Sequence, residues 1–403
     1  MNVRRSAAVL AATAVIGTAA PAVAADPSAS PSPSVAIPEG LYGAGDPTYD
    51  GVWRQSLALI AQHRADVRPA AKAVDWLAGQ QCANGSFAPF RADPAKACDS
   101  KTLVDTNSTA AAVQALSALG EHQAVVDKAE TWLRSWQNKD GGWGYTPGGP
   151  SDANSTAVVI GALAATGLDP AKDVLRNGHS PYDALLDLAL PCADGGGFAY
   201  QPDKKGKLAV NADATAAAVV GAAGLNMVTA QADDRGKGDC ADGPADPEQA
   251  ATNGAAYLAK AVRKDGYLKS ALPGSEDQPD YGNTADAVVA LAVRDGASAA
   301  REPLAWLEKN SAAWAKQSGP AAYAQLIIAA ETAGADPRDF GGTDLVKELN
   351  ALGPAPRKPA TAAKADKDDD GSGNAVWWTV LAGLAAGAGV GMLLSGRNRK
   401  RHQ

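Results

Sequence analysis

Two helical patterns alternate along the middle of this chain. In the first, apolar residues fill nearly every position: 50–63, 106–120, 152–167, 211–224, 281–293 and 319–334 are rich in alanine and aliphatics. A helix that is apolar all round is buried on every side. In the second, one apolar stripe is set against lysines, arginines and acids: 69–82, 123–138, 180–190, 248–263, 302–314 and 343–351. Such a stripe covers a core and leaves the other face to water. No strand pattern intervenes. Six buried helices inside six amphipathic ones predict an all-α, closed (α/α)6 toroid, whose closure leaves no terminal repeat to cap.

The buried helices repeat a phrase. DTNSTAAAVQALSALG (105–120) returns as DANSTAVVIGALAATG (152–167), as NADATAAAVVGAAG (211–224) and as YGNTADAVVALAVRDG (281–296). Small polar residues at such starts cap helices, at about 1 kcal/mol each. Asn107 and Asn154 also fit the N-x-T pattern for sugar attachment, but the later copies lose that pattern and keep the helix start. Asn107, Asn154, Asp213 and Asn283 are therefore read as equivalent positions around one ring.

The connections say which end of the ring carries function. The long ones (82–106, 139–152, 191–211 and 264–281) run from an outer to an inner helix. Most returns are shorter; 224–248 is the exception, and its Pro and Gly over 233–247 read as a surface loop. All six inner N-termini then share one mouth. Free N–H groups and helix dipoles at that mouth favour an anion. The loops there bring Phe87, Phe90, Trp143, Tyr145, Phe198, Tyr200, Tyr267 and Tyr281. Apolar walls with a few convergent polar groups describe a small-molecule site. The candidate ligand-binding residues are Asp105, Asn107, Asp152, Asn154, Asp213, Asn283, Trp143, Tyr145, Phe198 and Tyr281.

The ends place this domain. Residues 1–25 combine Arg4 and Arg5, an uncharged apolar run and Ala22-Val23-Ala24, the pattern of a secretory signal peptide. A Pro/Ser linker (26–39) leads to the toroid (40–352), and a charged stalk (353–374) follows it. Residues 375–395 carry no charge over 21 positions, long enough for a single transmembrane helix. The basic tail 396–403 places the C-terminus in the cytoplasm and the toroid outside the cell. Asp366-Lys367-Asp368-Asp369 spells a D-x-D-D, but in a solvated stalk rather than a dry pocket.

Composition removes several classes. The net charge of −7 excludes nucleic acid as a partner. Cys82, Cys98, Cys192 and Cys240 suit two disulfides outside the cell; of three pairings, Cys82–Cys98 and Cys192–Cys240 are favoured because each brackets a loop. The residues two before the cysteines are Gln80, Lys96, Leu190 and Gly238, so no Asp-x-Cys start of a zinc set occurs. His63, His122 and His179 stand apart in sequence, and no D-D-x-x-D lies in the folded part. No catalytic residue, metal or obligatory cofactor is assigned.

The turn Gln137 to Gly144, a Q-x-x-D-G-G-W after an aromatic-led helix, resembles the QW repeat of the prenyltransferase/squalene-cyclase superfamily. That resemblance covers about 49–340. The D-x-x-x-T-A helix starts, and 155–186 as a block, are similar to the transcobalamin/intrinsic-factor barrel and to bacterial surface proteins of that type. The resemblance implies a membrane-anchored, non-catalytic protein that binds a bulky small molecule, with cobalamin or another corrinoid as ligand. The transcobalamin type closes its ligand against a following β-domain, and here a stalk follows, so a second chain or dimer mate would complete the site. Two alternatives stand beside it: an isoprenoid-acting transferase or cyclase-like enzyme, and a cell-surface scaffold for another protein.

Overall fold

The computed structural model describes residues 36–358 except 234, 235, 244, 245 and 273. The signal peptide, the stalk from 359 onward, the apolar run 375–395 and the basic tail lie outside the described residues. Among the described residues no helix is long and apolar enough to cross a membrane.

The described residues form thirteen α-helices and no extended sheet. They are α1 (Gly51–Arg64), α2 (Ala71–Gly79), α3 (Thr106–Leu119), α4 (Gln123–Ser135), α5 (Ala153–Ala165), α6 (Pro181–Leu186), α7 (Ala212–Ala222), α8 (Pro247–Val262), α9 (Tyr281–Asp295), α10 (Ala297–Asn310), α11 (Ala312–Ser318), α12 (Pro320–Ala333) and α13 (Leu345–Ala351). Helices α1, α3, α5, α7, α9 and α12 touch in cyclic order, and α12 returns to α1. This is the inner ring of an α/α toroid. The remaining helices pack outside it.

One outer segment departs from expectation. The fifth is two helices, α10 and α11, broken at Ser311, and α10 begins five residues before the expected 302. Expecting a start near 302 puts Pro303 in the first turn, where its missing N–H costs nothing. The helix instead runs through Pro303 and starts after Gly296, whose φ of +88° turns the chain out of α9.

The repeated phrase has a mechanical meaning. In α3, α5, α7 and α9 the fourth helical residue is Thr109, Thr156, Thr215 and Thr284, each fully buried. Each threonine hydroxyl accepts the backbone N–H of a turn residue in the preceding connection: Phe87 (3.0 Å), Trp143 (3.1 Å), Phe198 (2.9 Å) and Leu268 (3.0 Å). The capping residue returns a bond, its N–H going to the carbonyl of that same turn residue, for instance Asp152 to Trp143 at 2.9 Å. The long connection is thus pinned to the helix it feeds. The QW glutamines do the lateral work. Gln137 Nε2 donates to Gly141 O (2.8 Å) and to Val174 O (3.2 Å), beside the next outer helix. Gln81 does the same with Gly85 O and Val125 O. The turn glycine cannot be replaced. Gly141 has φ +90°, and a Cβ there would lie 2.1 Å from Ser180 O.

A seam closes the ring. Tyr42 OH donates to Pro354 O (3.1 Å) and accepts from Gln62 Nε2 (2.9 Å), while Gly43 N donates to Leu352 O (2.8 Å). Both disulfides form with the expected partners. Cys192–Cys240 does not bracket one loop, however; it ties the connection after α6 to the one before α8.

The clasp makes a prediction. Thr156→Val keeps the shape of the side chain but leaves the buried Trp143 N–H without an acceptor. Such a loss costs about 1–3 kcal/mol. Urea denaturation should show that loss for Thr156→Val, and none for substitutions of the exposed Thr131.

Candidate functional site

Small residues on the inner helices leave space at the centre of the ring. A cavity of about 230 Å3 runs down the axis. Its wall is largely apolar, with Trp53 and Leu57 from α1, Val158 from α5, Val220 from α7, Val289 from α9 and Ile328 from α12. Gly221 lets α7 approach α5 closely, since a Cβ there would stand 2.8 Å from Ala157 Cβ.

The exceptional return connection makes the floor. Residues 224–233 lie across the far end of the ring, with Asn226 and Ala230 buried and Thr229 and Gln231 exposed. Met227 N donates to Gln114 Oε1 of α3 (3.0 Å), Arg64 of α1 donates to Val228 O (2.8 Å), Thr332 Oγ1 of α12 donates to Ala230 O (3.3 Å), and Asp233 N donates to Ala292 O of α9 (3.0 Å). The later part of this connection stays at the surface. Leu225, Asn226 and Met227 line the bottom of the cavity.

The mouth is acidic, which reverses the expectation of an anion site. On four of the six inner helices a side-chain cap takes one of the first-turn N–H groups. Asp105 accepts Ser108 N (2.6 Å), Asp152 accepts Ser155 N (2.7 Å), Asn211 accepts Ala214 N (2.8 Å) and Asp280 accepts Asn283 N (3.0 Å). Further in, Asp213 and Asp286 line the cavity and no Lys, Arg or His does. Burial raises Asp286 to about 8, with the nearby Asp213 and Asp280 adding to the shift and Gln325 opposing it. The surface that Asp286 retains faces the cavity; protein surrounds it on the other sides. Burial also raises Asp213, against a bond from Asn154 Nδ2 at 2.8 Å. Asp280 is raised by burial too.

The expected site residues take different places. Asn107, Asn154 and Asp213, each second in its helix, line the cavity. Asp105 and Asp152 are buried caps behind it; burial raises Asp105 to about 6. Trp143 and Phe198 are fully buried wedges, and the Trp143 indole N–H is spent on Leu133 O at 2.7 Å. Tyr145 is 44% exposed at the rim. Tyr281 stacks on Trp314 (centroids 5.4 Å apart) and leans on Trp306 (5.1 Å).

Asn283 is out of register. The cap of α9 is Asp280, so Asn283 is the third helical residue, equivalent to Ser108 and Ser155. It bonds Asp280 Oδ2 at 2.8 Å and does not line the cavity. Gly282 holds the equivalent of Asn107. Aligning the asparagines misled; aligning the clasp threonines gives the right register. The residues sequence reasoning missed are Asp286 and Gln325, each sixth in its helix, 3.5 Å apart. Asp286 had a signal, as the one carboxylate in the middle of an inner helix.

Asp286 also links stability to pH. A free Asp ionises near about 3.9. Between that value and about 8 the folded chain binds more protons at this position than the unfolded one, so stability falls as pH rises through this window. Asp286→Asn stays neutral. It should be more stable than the wild type at pH 8, with the gap closing towards pH 4, as read by urea denaturation at both pH values.

A family model described as "Prenyltransferase alpha-alpha toroid domain" matches residues 48–180, which hold α1 to α5. This supports the superfamily read from the repeats. No curated protein matches the chain. Solved structures of similar shape include a protein from Actinoplanes, at 16% identity and TM-score 0.49, over 75% of this chain and 96% of that one. The ent-copalyl diphosphate synthase from Streptomyces platensis aligns at 18% identity and TM-score 0.47, over 70% of this chain and 50% of the synthase. The type II terpene cyclase MstE from Scytonema, in its apo form, aligns at 14% identity and TM-score 0.44, over 67% of this chain and 72% of that one.

Proposed function

We propose that this toroid is an extracytoplasmic binding protein, anchored by the apolar run 375–395, whose axial cavity holds a compact and mainly apolar molecule. The observation that carries the reading is the floored cavity of about 230 Å3 with largely apolar walls. The signal-peptide pattern and the two disulfides support an oxidising location. Size and charge redefine the ligand. Pockets for drug-sized ligands run from roughly 300 to 1,000 Å3, and a corrinoid is larger than such ligands. An acidic mouth also repels a phosphate-bearing one. The proposed ligand is therefore small and not anionic, and the ring needs no second chain to enclose it.

A second reading has one observation in its favour. Asp286 stays a neutral carboxylic acid at pH 7 inside a mostly apolar space. Such a group can donate a proton. The alternative is thus an isoprenoid-acting enzyme that starts its reaction by protonation.

Two measurements separate these readings. Full-length protein in detergent should gain thermal stability with small alicyclic compounds. Ala217→Phe, which fills the cavity from α7, should abolish that gain without lowering the melting temperature of the free protein. A loss of ligand response that requires unfolding would count against the cavity as the site. New hydrocarbon products from prenyl substrates, absent with Asp286→Asn, would instead establish the enzyme.

A further inference from the structure

The ionisable groups of the cavity are both acids, set among neutral side-chain amides. Asp213 and Asp286 present carboxyl oxygens to it. Asn154 spends its Nδ2 on Asp213, which leaves its Oδ1 shielded from solvent and without a partner. Asn107, which also lines the cavity, has an Oδ1 in the same condition. Buried acceptors without donors each cost about 1–3 kcal/mol. Two nearby donors give the acids little. Gln325 Nε2 reaches Asp286 only at 3.5 Å, and Asn283 Nδ2 is taken by Asp280. No basic side chain lines the cavity to balance the acids.

A metal ion does not fit this arrangement. Among the described residues no three His, Cys, Asp or Glu side chains converge on one point, and Val289, Val220 and Ile328 offer a cation no coordination. An organic cation fits. Its charge would lie between acids that repel one another, and its N–H groups would donate to the carboxyl oxygens of Asp213 and Asp286. Its hydrocarbon part would lie along the apolar wall. Charge-assisted hydrogen bonds of that kind are roughly twice as strong as neutral ones.

We infer that the molecule held in the axial cavity carries a cationic head, an ammonium or amidinium group, seated against Asp213 and Asp286 beside Asn107 and Asn154. This rests on the binding-protein reading above and narrows its ligand class. It also explains why an acid was placed in the middle of a helix that packing would fill with an aliphatic. Without the cation, Asp286 keeps its proton; with it, the carboxylate forms and the proton leaves to solvent. The titratable groups acting on Asp286 are Asp213 from α7 and Asp280 from its own helix. Helix α12 contributes the neutral Gln325, and α8 and α10 contribute no charged group to it.

The test uses full-length protein in detergent and three probes of one shape: cyclohexylammonium, cyclohexanol and cyclohexanecarboxylate. Calorimetric titration at pH 7.5 should find the ammonium bound at least about tenfold tighter than the alcohol, with the carboxylate weakest. Asp286→Asn, checked for folding by its melting curve, should bring ammonium and alcohol to within about twofold. In the wild type, ammonium affinity should rise from pH 6.5 to pH 8.5 while alcohol affinity stays flat or falls. If the alcohol binds as tightly as the ammonium, or if Asp286→Asn keeps the preference, the cationic head is overturned and the binding reading survives. If none of the three binds, both fall.

Discussion

The toroid hangs on one small hydroxyl used four times. Thr109, Thr156, Thr215 and Thr284 each sit one turn into an inner helix and accept the N–H of a residue in the loop before it. A long connection left alone would carry buried backbone groups with no partners. The threonine satisfies one of them and fixes where the loop enters the helix. The glutamine of the QW turn then ties that loop to the next outer helix. All four repeats are locked inward by threonine and the first two also sideways by glutamine, and glycine supplies the positive φ between them. Repetition of these bonds converts a string of helix pairs into a ring.

That lock also determines what the mouth can be. Bare inner N-termini would make an anion site. Here three aspartates and an asparagine cap four of the six inner helices, each taking one first-turn N–H and bringing acid to the mouth. The capping that makes the repeats stable therefore turns the mouth from electropositive to acidic. Asp213 and Asp286 continue the acidity inward, against a wall that is otherwise hydrocarbon. Burial and mutual repulsion hold Asp286 protonated near neutrality. Stability and chemistry are coupled through these carboxyl groups.

The aromatic residues show where local pattern and three-dimensional role part. Trp143 and Phe198 fall in loops beside the mouth, and loops usually carry function. Yet both are fully buried, because the clasp draws their backbone inward and their rings fill the gap between repeats. Tyr145, two residues after Trp143, is outside that clasp and is exposed at the rim. Asn283 shows the same limit in register. A one-residue difference in α9, Gly282 where the others have Asn or Asp, moves the asparagine from the cavity wall to the cap of its own helix.

Hydrophobic periodicity by itself determined the order of the helices and their inner or outer place, though not that the fifth outer segment would break into α10 and α11. It did so because an all-apolar helix has only one stable location, inside, and a striped helix only one, at the boundary with water. The repeated D-x-x-x-T, with Asn in place of Asp in α7, determined the helix starts, and the even number of cysteines suggested two disulfides. Only the tertiary structure decided what meets at the axis. Gln114, Asp213, Asp286, Gln325 and Met227 come from five separated stretches, and no spacing in the sequence relates them. Only the closed ring also decided that residues 224–233 would form a floor. Their bonds go to helices up to 164 positions away, and such partners are set by ring geometry rather than by local propensity.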